Sequence, residues 1–281
     1  MSRHKPLESA GLSDRTRIPA FRRTVLGWYR KHSRPMPWRE DCSPYAVFVS
    51  EVMLQQTQVE RVIPKFSAFI ARLPGFRELA AANLGDVYAL WQGLGYNRRA
   101  KWLRDAAVQI MERHGGELPD TIEDITALPG IGKNTAGAIC AYAFNAPAVY
   151  IETNIRTVFI RHFFPGRDDV ADSEILPLVE RTLDRKNPRV WYWALMDYGT
   201  MLKKTEGNHS RKSRAHRAQS PFAASDRRIR GLLLKRIGEQ KSSPKRELLN
   251  LGESRRVERL LADLEREGLV REEHGVYRIG D

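Results

Sequence analysis

From Pro19 to about Leu202, apolar residues recur every three or four positions, and strand-like alternation is nearly absent. The pattern predicts amphipathic helices over 20–31, 44–57, 58–71, 76–82, 84–91, 97–114, 122–127, 133–144, 152–163, 173–183 and 188–202, with Pro and Gly punctuating the gaps. Residues 18–202 therefore read as one all-α domain. Residues 1–17 are polar and aperiodic, the composition of a disordered tail.

The periodicity breaks at 203–217, KKTEGNHSRKSRAHR, which holds six Lys or Arg and one Glu, a local charge of +5. Residues 203–221 read as a basic linker: either a solvated connection or a segment that contacts a nucleic-acid backbone. A new pattern follows over 222–281. It predicts a helix at 226–237 with Ile229, Leu232, Leu233 and Ile237 on one face, and a short helix at 243–250. A third helix, 253–267, turns Val257, Leu260, Leu261 and Leu264 inward, and two short strands flank His274-Gly275. Three helices and a hairpin suggest a winged-helix module. Its third helix either enters a major groove, or the module serves protein contact or structure. The fold class is mostly α: a two-lobed helical domain followed by this small module.

Composition narrows the partner. The 281 residues are 42% hydrophobic and carry a net charge of +13, which favours a polyanion or marks a merely soluble basic protein. No apolar run approaches the roughly 20 residues a membrane helix needs. The opening MSRHKPLESAGLSDRTR lacks an apolar export stretch. A cytoplasmic, nucleoid-associated location and no membrane partner are expected. The two cysteines, Cys42 and Cys140, are far apart and cannot supply the four thiolates of an iron–sulfur or zinc site. Cys140, in AGAICAYAF, reads as a small core residue.

The segment with most chemistry is LPGIGKNTAG, 128–137. Gly130 and Gly132 permit a tight hairpin that brings its backbone close to another molecule. A helix starts at once, so its free N–H groups and positive dipole end, with Lys133, Asn134 and Thr135, form an anion site suited to a DNA phosphate. Leu128 and Ile131 anchor the turn. The whole segment resembles the helix-hairpin-helix of the endonuclease III and adenine DNA glycosylase superfamily. Pro44-Tyr45, SEVMLQQT (50–57), LWQGLGY (90–96), IETNIR (151–156) and ALMDYG (194–199) resemble its adenine glycosylase branch in order and spacing, over about residues 20–205.

Physical reading and resemblance meet at Glu51. On a continuous helix over 44–57, Val49, Val52 and Met53 face the core, while Glu51, Gln55 and Gln58 gather at i, i+4 and i+7. Partial burial would raise the carboxyl pKa and suit it to protonating a leaving base; in an arbitrary helix such a Glu only complements the dipole. The resemblance assigns Glu51 the catalytic acid role. It places an aspartate where this chain has Glu152, one methylene longer, to stabilise the sugar cation, and matches Asn154 to a supporting asparagine. Glu152 is otherwise a plain helix N-terminal acid. Bifunctional relatives carry a Schiff-base lysine where this chain has Asn134, and some adenine glycosylases have a tyrosine there, so the resemblance implies a monofunctional enzyme.

Base chemistry requires extrusion from the stack. The resemblance makes Gln55 and Tyr96 the duplex wedge, with Gln56 and Leu94 beside it; without it Tyr96 is equally a packing residue in a turn. Arg98 and Arg99 read as phosphate contacts or solvated charges, and Trp38 and Tyr45 as packing. Many relatives hold a [4Fe–4S] cluster after the LMDYG-like helix; here Lys203 and Lys204 begin a cysteine-free stretch that would replace those DNA contacts. The 60 residues after Pro221 cannot form the Nudix-like domain that reads 8-oxoguanine in adenine glycosylases. The expectation is a monomeric, cofactor-free glycosylase acting on double-stranded DNA, with adenine opposite 8-oxoguanine or guanine as substrate. The alternatives are a uracil, thymine or other lesion glycosylase, or a non-catalytic DNA-binding protein.

Overall fold

The computed structural model describes residues 14–217 and 225–280. Residues 1–13 of the expected tail and 218–221 of the expected linker lie outside the described residues. In chain order the helices are α1 (Asp14–His32), α2 (Pro37–Glu40), α3 (Pro44–Leu54), α4 (Val59–Arg72), α5 (Phe76–Ala81), α6 (Leu84–Trp91), α7 (Arg98–Arg113), α8 (Ile122–Thr126), α9 (Lys133–Ala143), α10 (Thr153–Phe163), α11 (Asp172–Thr182), α12 (Pro188–Thr205), α13 (Asp226–Gln240), α14 (Lys245–Leu248) and α15 (Ser254–Arg266). The strands are β1 (Ser243–Pro244), β2 (Val270–Glu273) and β3 (Val276–Ile279). Among the described residues, no helix is long and apolar enough to cross a membrane.

The chain divides into two compact units. One comprises Met1–Cys42, Asp120–Ile122 and Gly132–Ala218; the other comprises Ser43–Pro119, Glu123–Ile131 and Gln219–Asp281.

In the first unit α1, α10 and α12 pack around Phe21, whose ring meets Phe159, Phe163 and Trp191 edge-on. Edge-to-face geometry sets the positive ring edge against the negative face of its neighbour. The first helix begins earlier than the polar sequence suggests. Arg17 Nη2 donates to the His162 carbonyl at 2.9 Å, and its guanidinium lies 4.8 Å from the Phe163 ring, so tertiary contact overrides the polar pattern. Helices α10 and α12 approach closely at Gly199, where a Cβ would stand 2.7 Å from the Asn154 carbonyl oxygen. Residues 203–217 of the stretch read as a linker form defined structure. Helix α12 runs to Thr205, a 3-10 turn covers His209–Lys212, and Ser213 bridges Val170. Part of its charge is paired locally: Glu206 with Arg161, Lys212 with Asp168 at 3.2 Å, and Arg214 with Asp169 at 2.9 Å.

In the second unit α3–α7 bury an apolar core that includes Phe48, Met53, Phe69, Leu84, Trp91 and Leu103. Ser43 caps α3 by accepting from Ala46 N at 3.3 Å, with Pro44 supplying a preset φ at the first position. Tyr45, a packing residue as expected, donates its hydroxyl to the Leu73 carbonyl at 2.6 Å. The C-terminal segment belongs to the same unit. Val257, Leu260, Leu261 and Leu264 of α15 are buried as the periodicity predicts. On α13 the stripe is rotated: Leu234 is 4% exposed, whereas Leu232, expected inside, is 36% exposed. The sheet is antiparallel with order β1-β3-β2. Its hairpin turns at His274 (φ 53°) and Gly275 (φ 78°), two consecutive left-handed residues whose twist matches the strands. Strand β1, two residues long, replaces the start of the helix expected at 243–250.

The polar anchor of the first unit is Asp197, buried on α12. Arg39 donates to both its carboxylate oxygens at 2.8 and 3.0 Å, and Arg34 adds contacts from its backbone N–H at 3.0 Å and its Nε at 2.8 Å. Burial alone would push the carboxyl up; the hydrogen bonds and charges of Arg39 and Arg34 outweigh it and hold it below the usual range. A carboxyl with a depressed folded-state pKa stabilises at pH above its unfolded value and loses that contribution as pH falls through its folded value. Asp197→Asn is expected to cost about 3–5 kcal/mol near pH 7, because two cations lose their counter-charge. The gap from wild type should narrow below about pH 4, measured by urea unfolding across pH.

Candidate active site

Glu51 is the only charged residue of α3. Ser50, Val52 and Met53 around it are buried, while Glu51 itself is half-buried. The helix stops at Leu54, so the continuous face of Glu51, Gln55 and Gln58 does not form. Gln55 is the C-cap, Gln56 is exposed with a left-handed φ of 55°, and Gln58 is the N-cap of α4.

The cause of this stop is Arg99. It is 4% exposed and not a surface cation as the sequence suggested. Its Nη1 donates to the carbonyls of Val52 (2.8 Å), Met53 (2.9 Å) and Gln55 (2.6 Å). Its Nη2 donates to Thr57 Oγ1 (2.9 Å) and the Gly95 carbonyl (3.1 Å). The last carbonyls of a helix have no partner within it, and the negative end of the dipole favours a cation. Burial, helped by nearby Arg61, lowers the Arg99 pKa to about 10, against the opposing effect of Tyr96. Arg98 is likewise committed, forming an ion pair with Glu267. A signal for Arg99 existed in the sequence: it shares the face of α7 that carries Leu103, Ala106 and Ile110.

The loop that Arg99 holds contains Gly93 (φ 91°), Gly95 (φ 73°) and Tyr96 (φ 48°). Leu94, placed beside the wedge by the resemblance, is 2% exposed and anchors the loop from within. Tyr96 is half-buried. Its hydroxyl accepts from Arg227 Nη1 at 2.7 Å, and the guanidiniums of Arg99 and Arg227 each lie 5.5 Å from its ring centroid.

The hairpin after α8 closes with Ile131 N donating to the Leu128 carbonyl at 3.2 Å. Gly130 has φ 75°, and a Cβ there would meet Trp102 at 2.6 Å, so both torsion and packing require glycine. Its carbonyl accepts from Gln55 Nε2 at 3.3 Å, which ties the expected wedge residue to the hairpin. Gly132 caps α9, and nothing lies within 4 Å of where its Cβ would be. Gly132, Lys133 and Asn134 are exposed and Thr135 half-buried, so the opening turn of α9 presents backbone N–H groups to an anion. Asn134 Oδ1 accepts from Ile151 N at 3.4 Å.

Glu152 is the N-cap of α10. Its Oε1 accepts from Asn154 N at 2.5 Å and Ile155 N at 2.9 Å. Burial pushes its carboxyl up, and Lys203, the two backbone N–H groups and Arg156 act against that. Lys203, read from the sequence as a DNA contact, is half-buried: its Nζ donates to Asn154 Oδ1 at 2.7 Å, and burial lowers its pKa against the pull of Glu152. Lys204 is exposed. Glu152, Asn154 and Lys203 thus form one hydrogen-bonded cluster, whereas the resemblance had separated Lys203 from the acid.

Residues 49–181 match the family of HhH-GPD superfamily base excision DNA repair proteins. The chain is 35% identical over 228 residues to the adenine DNA glycosylase of Mycolicibacterium smegmatis, an alignment covering 75% of this chain and 78% of that one. To the adenine DNA glycosylase of Rattus norvegicus it is 37% identical over 202 residues, covering 68% of this chain and 39% of that one. The chain therefore spans about two fifths of the length of the rat relative. Among solved structures, a thermostable thymine-DNA glycosylase superposes with a TM-score of 0.60 at 23% identity, over 66% of this chain and 88% of that one. Endonuclease III trapped covalently on DNA gives a TM-score of 0.53 at 19% identity, over 82% and 99%. These two establish likeness of fold.

Arg99→Met is expected to destabilise the protein by about 3–5 kcal/mol, since it strips partners from several buried carbonyls. Arg99→Lys should recover only part, because an ammonium cannot reproduce the planar fork. Urea unfolding reads the loss, and faster proteolysis within residues 93–97 locates it.

Proposed function

We propose, from the premise that this chain belongs to the HhH-GPD superfamily of base excision DNA repair proteins and to its adenine DNA glycosylase branch, that it hydrolyses the N-glycosidic bond of a flipped base in duplex DNA. The observation that carries the reading is Glu51, the one charged side chain of α3, half-buried between buried neighbours. A charge in such surroundings is costly and marks a site that uses it.

In this reading Glu51 gives its proton to the departing base as the C1′–N bond breaks, leaving an oxocarbenium-like sugar. Water adds to C1′, and its proton returns to Glu51. Glu152 supplies negative charge for the sugar cation. For that it must be ionised, which its two backbone donors and Lys203 favour against burial. Asn154 links Lys203 to this carboxylate and acts as a positioning residue.

The exposed turn from Gly132 to Thr135 receives a DNA phosphate, and Tyr96, Gln55 and Gln56 contact the duplex. Leu94 supports that loop, and Lys204 meets the backbone. Asn134 offers no amine for a Schiff base, so the enzyme releases the base without lyase cleavage. We read the chain as a cofactor-free monomer. The stretch after α12 contains no cysteine, and Cys42 and Cys140 do not fit the thiolate set of an iron–sulfur cluster. Residues 18–202 form the glycosylase domain, and α13–α15 with the small sheet form a winged-helix-like module. Adenine opposite 8-oxoguanine or guanine is the substrate we assign, because the family branch points there.

Duplexes carrying A:8-oxoG, A:G, U:G or T:G should reveal the substrate. An A-containing duplex is expected to be nicked only after alkali; excision confined to U:G or T:G would reassign the base, and no excision from any would sink the enzyme reading. Glu51→Gln should lower single-turnover excision by at least about 100-fold while retaining duplex binding. Lys203→Met removes a cation that lowers the Glu152 pKa, so the acidic limb of the excision–pH profile should move to higher pH.

A further inference from the structure

The loop Gly93–Tyr96 is fixed from two directions within the second unit. Its backbone is held by the helices on either side of it. Arg61 donates to the Gly93 carbonyl, Trp91 Nε1 and Arg99 Nη2 each donate to the Gly95 carbonyl at 3.1 Å, and Arg99 N donates to the Tyr96 carbonyl at 2.9 Å. These hydrogen bonds stop at the backbone. Tyr96 is an aromatic residue at φ 48°, a torsion that persists only where the surroundings impose it. The direction of its ring therefore depends on what meets its far end. Among the described residues, the hydrogen bond of its hydroxyl is to Arg227 Nη1, at 2.7 Å, and Arg227 comes from the first turn of α13.

The opening turn of a helix carries the positive end of the dipole and favours acids, as Asp226 there illustrates. A cation at 227 works against that dipole, and its contact with Tyr96 supplies a reason for it. Helix α13 is also a firm support: Ile229, Leu233, Leu234 and Ile237 are buried, and Arg230 shares Glu267 with Arg98 of α7. The helix of this module that a groove reader would insert is neutralised from inside. Arg256 and Arg259 of α15 pair with Asp226, and Arg266 pairs with Asp263. We propose, resting on the reading of Tyr96 as a duplex contact, that Arg227 is a positioning residue for base extrusion. It holds the Tyr96 ring at its hydroxyl, so the C-terminal module serves the reaction by completing this loop and not by reading a groove.

The test uses the full chain at saturating concentration and an A:8-oxoG duplex with 2-aminopurine beside the adenine, whose fluorescence rises when stacking is broken. Arg227→Met should slow that rise, followed by stopped flow, by about tenfold, the effect of losing one charge-assisted hydrogen bond. Tyr96→Phe keeps the ring, removes the acceptor and should slow it equally. The two changes delete the same bond, so the double variant should stay near tenfold and not reach about a hundredfold. Arg227→Lys should recover part of the rate, because an ammonium still donates to the hydroxyl. Duplex binding followed by anisotropy against salt should keep its slope in Arg227→Met; a slope shallower by about 0.9 would make Arg227 a phosphate contact. That result, an undiminished rate in Arg227→Met, or additive losses in the double variant would each overturn the proposal. Excision by the wild type without any fluorescence rise would overturn it and leave the glycosylase reading standing. Absence of excision with the coupled fluorescence results intact would reject only the catalytic reading.

Discussion

One buried guanidinium organises the working end of the second unit. The end of α3 exposes carbonyls that nothing in the helix can satisfy, and the chain must leave that helix sharply to reach α4. Arg99 meets both needs. It fills three of those carbonyls and Thr57, and with the same fork it holds Gly95 in the next loop. The position of Glu51 along α3, the left-handed turn at Gln56 and the loop that presents Tyr96 therefore share one support. Gln55, freed from helical geometry, extends to the Gly130 carbonyl and brings the hairpin into the same network.

The first unit treats its carboxylates differently, and comparing them shows how environment assigns roles. Asp197 is buried and Glu152 half-buried. Asp197 meets two arginines and is locked into an ionised structural state. Glu152 accepts from two backbone N–H groups, with the charges of Arg156 and of Lys203, itself pushed toward neutrality, acting nearby rather than as a direct ion pair, so its ionised form is supported less completely. A group held that way responds to a neighbouring charge, as the proposed role beside a sugar cation would need; a saturated ion pair does not.

Most of the helical architecture was legible from apolar spacing, since burial of one face governs where α4, α7, α10 and α15 lie. Motif spacing singled out Glu51, Glu152 and the glycine hairpin as candidates. What escaped had specific physical causes. Periodicity carried the third helix through to Thr57 because it registers apolar faces and is blind to a guanidinium arriving from another helix. Arg98 and Arg99 look alike in sequence, yet one lies outside and the other inside. Lys203 looked like the first residue of a charged run, but α12 continues through it and turns it toward Asn154. Leu232 and Leu234 are separated by only two positions, and which one faces inward depends on what α13 packs against. Strand β1 is too short for any alternation to show.

The joint between α7 and the C-terminal helices rests on Glu267, one acid that serves Arg98 from α7 and Arg230 from α13. The cost of stripping water from such ions falls as temperature rises, while apolar contacts gain little. Warming therefore raises the relative weight of these charges in the joint. A homologue adapted to heat would be expected to elaborate the Glu267 clasp, and one adapted to high salt to replace it with carbon.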